Sequence, residues 1–304
     1  MRPARDVVRS TMGVSSGPVS FMTVFDRATD TVRQGGMRRG ANMAVLRVDH
    51  PDILSFINAK RDMAALNNFN LSVAVTESFM SALEKGGDYP LVNPRTGEAS
   101  DTVSAREIFD AMVDSAWAGG EPGIVFIDRI NRANPTPRLG EIEATNPCGE
   151  QPLLPYESCN LGSVNLSLMA GRGNCGVDWN LLERTVRNGV RFLDDVIQIN
   201  RYPLPEIEAV SLGNRKVGLG VMGFAELLFS LGIPYDSHEA LELGERIMSF
   251  IADKASAESM DLAVTRGPFP NFKGSAHDTG GLPPMRNATV TTIAPTGSIS
   301  ILAG

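Results

Sequence analysis

Cysteine and histidine are scarce in this sequence. Its 304 residues include three of each. Three thiols cannot build a disulfide framework, and the odd count fits a reducing compartment. Spacing also argues against zinc. Cys148 and Cys159 stand eleven positions apart, whereas zinc pairs are usually about two to four apart and are answered by a second pair elsewhere. The histidines, His50, His238 and His277, are scattered. Basic charge is short too. Lys and Arg total 28 against 35 Asp and Glu, a net charge of -7, which argues against a nucleic-acid scaffold but leaves a local nucleotide pocket open. No apolar run approaches the length of a membrane span, and the opening Met1-Arg-Pro-Ala-Arg-Asp6 has no apolar signal core. The expectation is a soluble cytoplasmic protein with neither a nucleic-acid nor a membrane partner.

What is present is a hydrophobic content of 42%, enough for one large domain or two modest ones. Phe21, Val24, Phe25, Ala28 and Val32 have helical spacing and should bury one face. Strands are expected at 44–48, 70–75 and 123–127, with a helix from Pro51 to about Lys60 and a turn at 93–97. Ser104 and Glu107 have the spacing of a capping box, opening a helix with the stripe Ile108, Met112, Ala116. A strand is expected over 161–168, with Cys159 at its start. Trp179, Leu182, Val186, Val190, Leu193 and Ile197 mark a long amphipathic helix, stopped by Pro203 and Pro205. Another helix runs from His238 to Thr265, with Asp236 and Glu239 as its capping box and Gly267-Pro268 as its stop. A β-branched strand is expected over 286–293. Helices alternating with apolar strands indicate the α/β class.

The densest chemistry lies in Asn146-Pro147-Cys148-Gly149-Glu150, followed by Glu157-Ser158-Cys159-Asn160. Pro147 and Gly149 disfavour a helix, so the segment reads as a rigid loop. It combines amide donors and acceptor, a thiol, and a carboxylate able to act as a base. A nucleophilic thiol would want a histidine, and none is near in sequence. Spacing alone leaves redox or radical chemistry and simple packing of a small apolar side chain both open. Three other stretches carry weaker signals. Gln34-Gly-Gly-Met-Arg38-Arg39 offers close backbone approach and forked donors for phosphate or a base edge, or is a solvated turn. Thr296-Gly297-Ser298 after a strand could present N–H groups and hydroxyls to an anion, or be an ordinary turn. Gly218-Leu-Gly-Val-Met-Gly223 has dinucleotide spacing but lacks an apolar strand before it. Cys175 lies in a polar turn and reads as incidental.

Asn146-Pro-Cys-Gly-Glu150 together with Glu157-Ser-Cys-Asn-Leu-Gly-Ser163 closely resembles the catalytic segment of ribonucleotide reductases, above all the class II, adenosylcobalamin-dependent enzymes. The resemblance implies that Cys148 carries the thiyl radical, Glu150 is the base on the 3′-hydroxyl, Asn146 binds the ribose hydroxyls, and Cys159 is one thiol of the redox dithiol. The partner of that dithiol is upstream in the family, and no cysteine precedes Cys148 here. Residues 1–45 resemble the specificity-site loops that bind a deoxynucleotide effector, with Ser10, Thr11, Ser15, Ser16, Gln34, Arg38 and Arg39 as candidates. Residues 294–300 resemble the loop that holds substrate phosphates, with Thr296, Gly297, Ser298 and Ser300 as candidates. The implied fold is part of a ten-stranded α/β barrel, with 146–163 as the catalytic finger loop across a single partial domain, 1–304. Further implications are a ribonucleotide substrate, adenosylcobalamin as cofactor, an external thioredoxin-like dithiol reductant, and a homodimer. A class I large subunit or an inactive effector-binding fragment remain alternatives. Family members run on beyond the Thr-Gly-Ser loop, so a split or interrupted gene is expected.

Overall fold

The computed structural model describes residues 1–8, 12–32, 40–62, 64–171 and 176–303. The chain divides into two compact units, one of residues 1–133 with 142–152, the other of residues 134–141 with 153–304.

In the first unit a small antiparallel pair, β1 (Val7–Val8) and β2 (Gly13–Val14), precedes helix α1 (Gly17–Thr31). A parallel sheet of β3 (Asn42–Arg47), β4 (Phe69–Val75) and β7 (Gly123–Phe126) follows, with β4 central. Asn42 pairs with Phe69, and Ser72 with Gly123. Between these strands come α2 (Ile53–Ile57), α3 (Glu77–Glu84), the hairpin β5 (Asp88–Val92) and β6 (Ala99–Ser104), and α4 (Ala105–Gly119). α5 (Ile127–Arg132) leaves β7 directly. Strand β4 is buried on both faces, as a central parallel strand should be. Phe56, Phe79, Leu71, Val73, Ile108 and Met112 fill the core around it. The Thr76 hydroxyl caps α3 by accepting from the Phe79 N–H at 3.1 Å.

Three expectations fail here. Phe21, Val24, Phe25 and Val32 do not form the buried face of α1; they are exposed, and Gly17, Pro18, Met22 and Asp26 face inward. The cause is polar: Asp26 Oδ1 accepts from the Asn68 N–H at 3.0 Å and from its Nδ2 at 3.1 Å, which fixes the helix one step round from its apolar stripe. The strand at 123–127 ends at Phe126 and is largely exposed, because β4 is its only partner among the described strands. Ser104 does precede α4, but its side chain makes no cap bond. Its φ of -59° and ψ of 128° belong to the end of β6, where it pairs with Asp88.

Two short strands, β8 (Ala144–Thr145) and β9 (Pro152–Leu153), flank the candidate loop in sequence. The second unit then opens with β10 (Asn160–Asn165), which ends in a 3-10 turn at Leu166–Met169 rather than running on to Leu168. It pairs in parallel with β11 (Val217–Met222), Asn160 opposite Val217 and Asn165 opposite Met222. The crossover holds α6 (Trp179–Ile199) and α7 (Pro205–Asn214); α8 (Phe224–Leu231), α9 (His238–Arg266), α10 (Ala276–Thr279) and α11 (Gly297–Ala303) follow. The stripe Leu182, Val186, Val190, Leu193 and Ile197 of α6 is buried as its spacing requires, against Leu243, Ile247, Ile251, Ala255 and Leu262 of α9. Ser237, not Asp236, caps α9, its hydroxyl accepting from the Ala240 N–H at 3.1 Å.

The Gly218–Gly223 motif proves structural. Gly218 and Gly220 lie inside the buried strand β11 rather than in a loop after it, which removes the dinucleotide reading. A Cβ at Gly220 would overlap the Thr292 carbonyl oxygen. That crowding belongs to a third extended segment. The expected strand 286–293 does run beside β11, with Leu219 N–H donating to the Val290 carbonyl at 2.8 Å and Thr292 N–H to the Leu219 carbonyl at 3.2 Å. It makes one ladder bridge, Leu219 to Thr291, and the side chains at its start form bonds of their own. Those bonds meet at Asp194 of α6, 1% exposed at its side chain. Arg215 reaches it at 2.8 Å, Arg266 at 3.1 Å, Arg286 at 3.4 Å and Asn287 Nδ2 at 3.1 Å. Burial pushes the Asp194 carboxyl up, but the Arg215 hydrogen bond and charge, with Arg286 and Asn287, outweigh it and hold the group below its ordinary value. No helix among the described residues is long and apolar enough to cross a membrane.

Candidate active site

Residues 146–151 form a closed loop of the first unit. Gly149 takes φ +84°, a conformation that suits glycine. Its N–H donates to the Asn146 carbonyl at 3.0 Å, and the Asn146 N–H donates to the Gln151 carbonyl at 3.2 Å. The Asn146 side chain completes the ring, Oδ1 accepting from the Gln151 N–H at 3.0 Å. The Thr145 hydroxyl donates to the Asn146 carbonyl at 3.0 Å. From β4, Asn70 Nδ2 donates to the Pro147 carbonyl at 2.6 Å.

The loop therefore holds Cys148 outward, with an exposed thiol, while Asn146 and Glu150 are half-buried beside it. Asn146 spends its oxygen on the loop, and its Nδ2 carries two donors suited to a ligand hydroxyl. A thiol, a carboxylate and an amide on one five-residue turn can handle a hydrogen atom, a proton and a hydroxyl in adjacent positions.

Cys159 belongs to the second unit and is half-buried at the mouth of β10, its Sγ 3.6 Å from the Asn160 carbonyl. The residues leading to it are tightly held. Glu157 accepts from the Leu154 N–H at 2.9 Å, from Asn214 Nδ2 at 2.6 Å and from Lys216 Nζ at 2.7 Å. The Glu157 and Lys216 side chains are 0% and 2% exposed. The hydroxyls of Ser158 and Ser211 lie 2.7 Å apart.

In the 294–300 segment Thr296 has φ 59°, and α11 begins at Gly297. Gly297 and Ser298 are exposed, Thr296 and Ser300 half-buried. Ser300 N–H donates to the Thr296 carbonyl at 2.8 Å, and its hydroxyl to the Gly297 carbonyl at 3.0 Å. Among the effector candidates, Ser15 works locally: its hydroxyl accepts from the Gly17 N–H at 3.2 Å. Ser16 precedes α1 without a side-chain cap bond. Ser10, Thr11, Gln34, Arg38 and Arg39 lie outside the described residues, as does Cys175.

Sequence reading overlooked Asn70, Asn214, Lys216 and the role of Glu157. One signal was available for the last two. Glu157 stands two residues before Cys159, and Lys216 abuts the apolar run of β11, where a lone charge calls for a partner.

A family model described as the ribonucleotide reductase barrel domain matches residues 1–284. The chain is 54% identical over 305 residues to the vitamin B12-dependent ribonucleoside-diphosphate reductase of Thermoplasma acidophilum, covering 100% of this chain and 40% of that protein. It is 55% identical over 305 residues to the protein of the same name from Mycobacterium tuberculosis strain H37Rv, covering 100% and 43%. To the vitamin B12-dependent ribonucleotide reductase of Streptomyces coelicolor it is 33% identical over 294 residues, covering 88% and 30%. The chain thus spans less than half the length of these curated relatives. Its sequence, matched along nearly its whole length and carrying the Asn-Pro-Cys-Gly-Glu loop within that match, belongs to the ribonucleotide reductase family and to its barrel domain.

Proposed function

We propose that this chain provides the central catalytic part of a class II ribonucleotide reductase. The reaction converts a ribonucleoside diphosphate to its 2′-deoxy form for DNA synthesis. The observation that carries this reading is the closed 146–151 loop, which holds an exposed thiol between an amide and a carboxylate. Adenosylcobalamin, when bound, supplies the radical that reaches Cys148. The outward thiol fits a radical source approaching from outside the loop.

The residues of the chain then divide the work. Asn146 Nδ2 donates to a ribose hydroxyl. The Cys148 sulfur removes the 3′-hydrogen atom, and Glu150 accepts the 3′-hydroxyl proton. The 2′-hydroxyl departs as water. Cys159 and a second thiol supply the two electrons and become a disulfide, which an external thioredoxin-like dithiol reduces. In net balance, one carbon–oxygen bond becomes a carbon–hydrogen bond, two thiols become one disulfide, and one water is released. Thr296, Gly297, Ser298 and Ser300 hold the substrate phosphates. Ser10, Thr11, Ser15, Ser16, Gln34, Arg38 and Arg39 serve the deoxynucleotide effector.

Two structural features support the barrel and homodimer parts of the reading. Five parallel strands in two sheets, with helical crossovers, suit a share of a ten-stranded α/β barrel. The exposed Phe21, Val24 and Phe25 on α1 suit contact with a second copy in a homodimer.

The test is deoxyribonucleotide formation with and without adenosylcobalamin, beside Cys148→Ser. Cobalamin-dependent product that vanishes in the variant is the expected outcome. Product without cobalamin would assign the chain to class I, and turnover near parental levels in Cys148→Ser would refute the radical role.

A further inference from the structure

The buried pair Glu157–Lys216 takes no part in the steps above, yet it is the most enclosed ion pair in the second unit among the described residues. Both charges have left water, a loss that their attraction offsets only when geometry is good and the remaining bonding capacity is filled. Here it is filled. The carboxylate accepts at both oxygens, Oε1 from Asn214 and Oε2 from Lys216 and the Leu154 N–H. Asn214 is itself held, its Oδ1 accepting from Asn271 Nδ2 at 2.8 Å. An apolar pair of equal volume would often stabilise a fold as well or better, so stability alone does not account for this arrangement.

What the pair adds is position. Glu157 N–H donates to the Leu154 carbonyl at 3.0 Å, closing a turn in which Tyr156 adopts φ 61°. Three residues on from Glu157, Asn160 enters the β10–β11 ladder opposite Val217, the neighbour of Lys216. Only Ser158 and Cys159 lie between these two anchors, and the Ser158 hydroxyl is tied to Ser211. The geometry points to Glu157 and Lys216 as a positioning pair that fixes the Cys159 thiol at the mouth of β10. This rests on the reading of Cys159 as a redox thiol for its purpose, but not for its test.

Alkylation of each thiol by iodoacetamide, followed by peptide mass spectrometry, reads the position of Cys159 directly, with Cys148 as internal reference. The proteins compared are the parent, Lys216→Met, Glu157→Gln, and the double variant Glu157→Gln/Lys216→Met, each with its thermal unfolding curve. Lys216→Met strands a buried carboxylate and should lose stability; the neutral double variant should recover most of it. A purely structural pair would then leave Cys159 as protected as in the parent. The positioning role requires Cys159 to react about tenfold faster in the double variant and in Glu157→Gln, with Cys148 unchanged, because the thiol's local opening is no longer restrained. A Cys159 rate within about twofold of the parent in these variants would overturn the proposal, since that difference is too small to mark a released segment. Cys159→Ser turnover separates the two claims. Full activity there would refute the redox reading and leave the alkylation result standing on its own.

Discussion

The two cysteine sites are held in opposite ways. Cys148 stands on a loop closed almost entirely by its own backbone and one asparagine side chain, with its thiol exposed. Cys159 stands at the entrance to a buried strand, and the residues leading to it are locked by a desolvated ion pair. The first arrangement leaves a reactive atom accessible while its surroundings stay rigid. The second restrains a thiol whose neighbours are charged and enclosed. Neutral hydrogen bonds each contribute about 1 kcal/mol, whereas breaking one side of a buried ion pair costs about 3–5 kcal/mol. The Cys148 loop should therefore yield gradually to substitution, and the core behind Cys159 abruptly.

The sharpest way to break that contrast is Asp194→Asn. It removes the carboxylate that faces Arg215, Arg266 and Arg286, and should cost about 3–5 kcal/mol in denaturant unfolding, because three guanidinium groups lose their shared counter-charge. A loss no larger than that of a single neutral bond would make the second unit as forgiving as the Cys148 loop. Acid sharpens the same point. The folded pKa of Asp194 lies below its ordinary 3.8, so its contribution is fully present above that value and is lost as pH falls through the folded pKa. Acid unfolding monitored by circular dichroism should accordingly show a shallower loss of stability below pH 3.8 in Asp194→Asn than in the parent.

A smaller effect is expected from Gly220→Ala. The added methyl meets the Thr292 carbonyl and should cost about 1–3 kcal/mol by displacing the segment beside β11. An unchanged melting temperature would mean that this segment can move away freely. The mildest change is Asn70→Ala, which removes one bond to the Pro147 carbonyl and should cost about 0.5–1.5 kcal/mol. Its more telling readout is turnover, which should fall while overall stability barely moves. A loss of several kcal/mol would show that the Cys148 loop is not the lightly held region described.

Much of the fold was legible because it follows apolar periodicity. The α6 stripe and the termination of α9 at Gly267-Pro268 are examples. The loop at 146–151 was legible because proline and glycine exclude a helix there. The failures have different causes, and on α1 it is side-chain polarity acting across a long sequence separation. The inward face of α1 was decided by Asp26 meeting Asn68, and Phe21 and Phe25 were turned outward as a result. The strand expected over 286–293 makes a single bridge, and Arg286 and Asn287 at its start reach Asp194, some ninety positions away, a contact that no local pattern shows. The Ser104 and Asp236 capping assignments failed by local competition, one with a strand and one with Ser237. The link between Glu157 and Lys216 spans 59 positions; the lone charge of Lys216 beside an apolar run signals that a partner is needed, but no local pattern says which.

The meeting of side chains at Asp194 has a consequence for motion. It joins α6, α9, the turn before β11 and the start of the 286–293 segment through one carboxylate. None of the four can detach singly without leaving unbalanced charge behind, so fraying by small steps is penalised. Amide protons in these elements should exchange with solvent at a common, slow rate, as one cooperative block, while those of the 146–151 loop exchange independently and sooner.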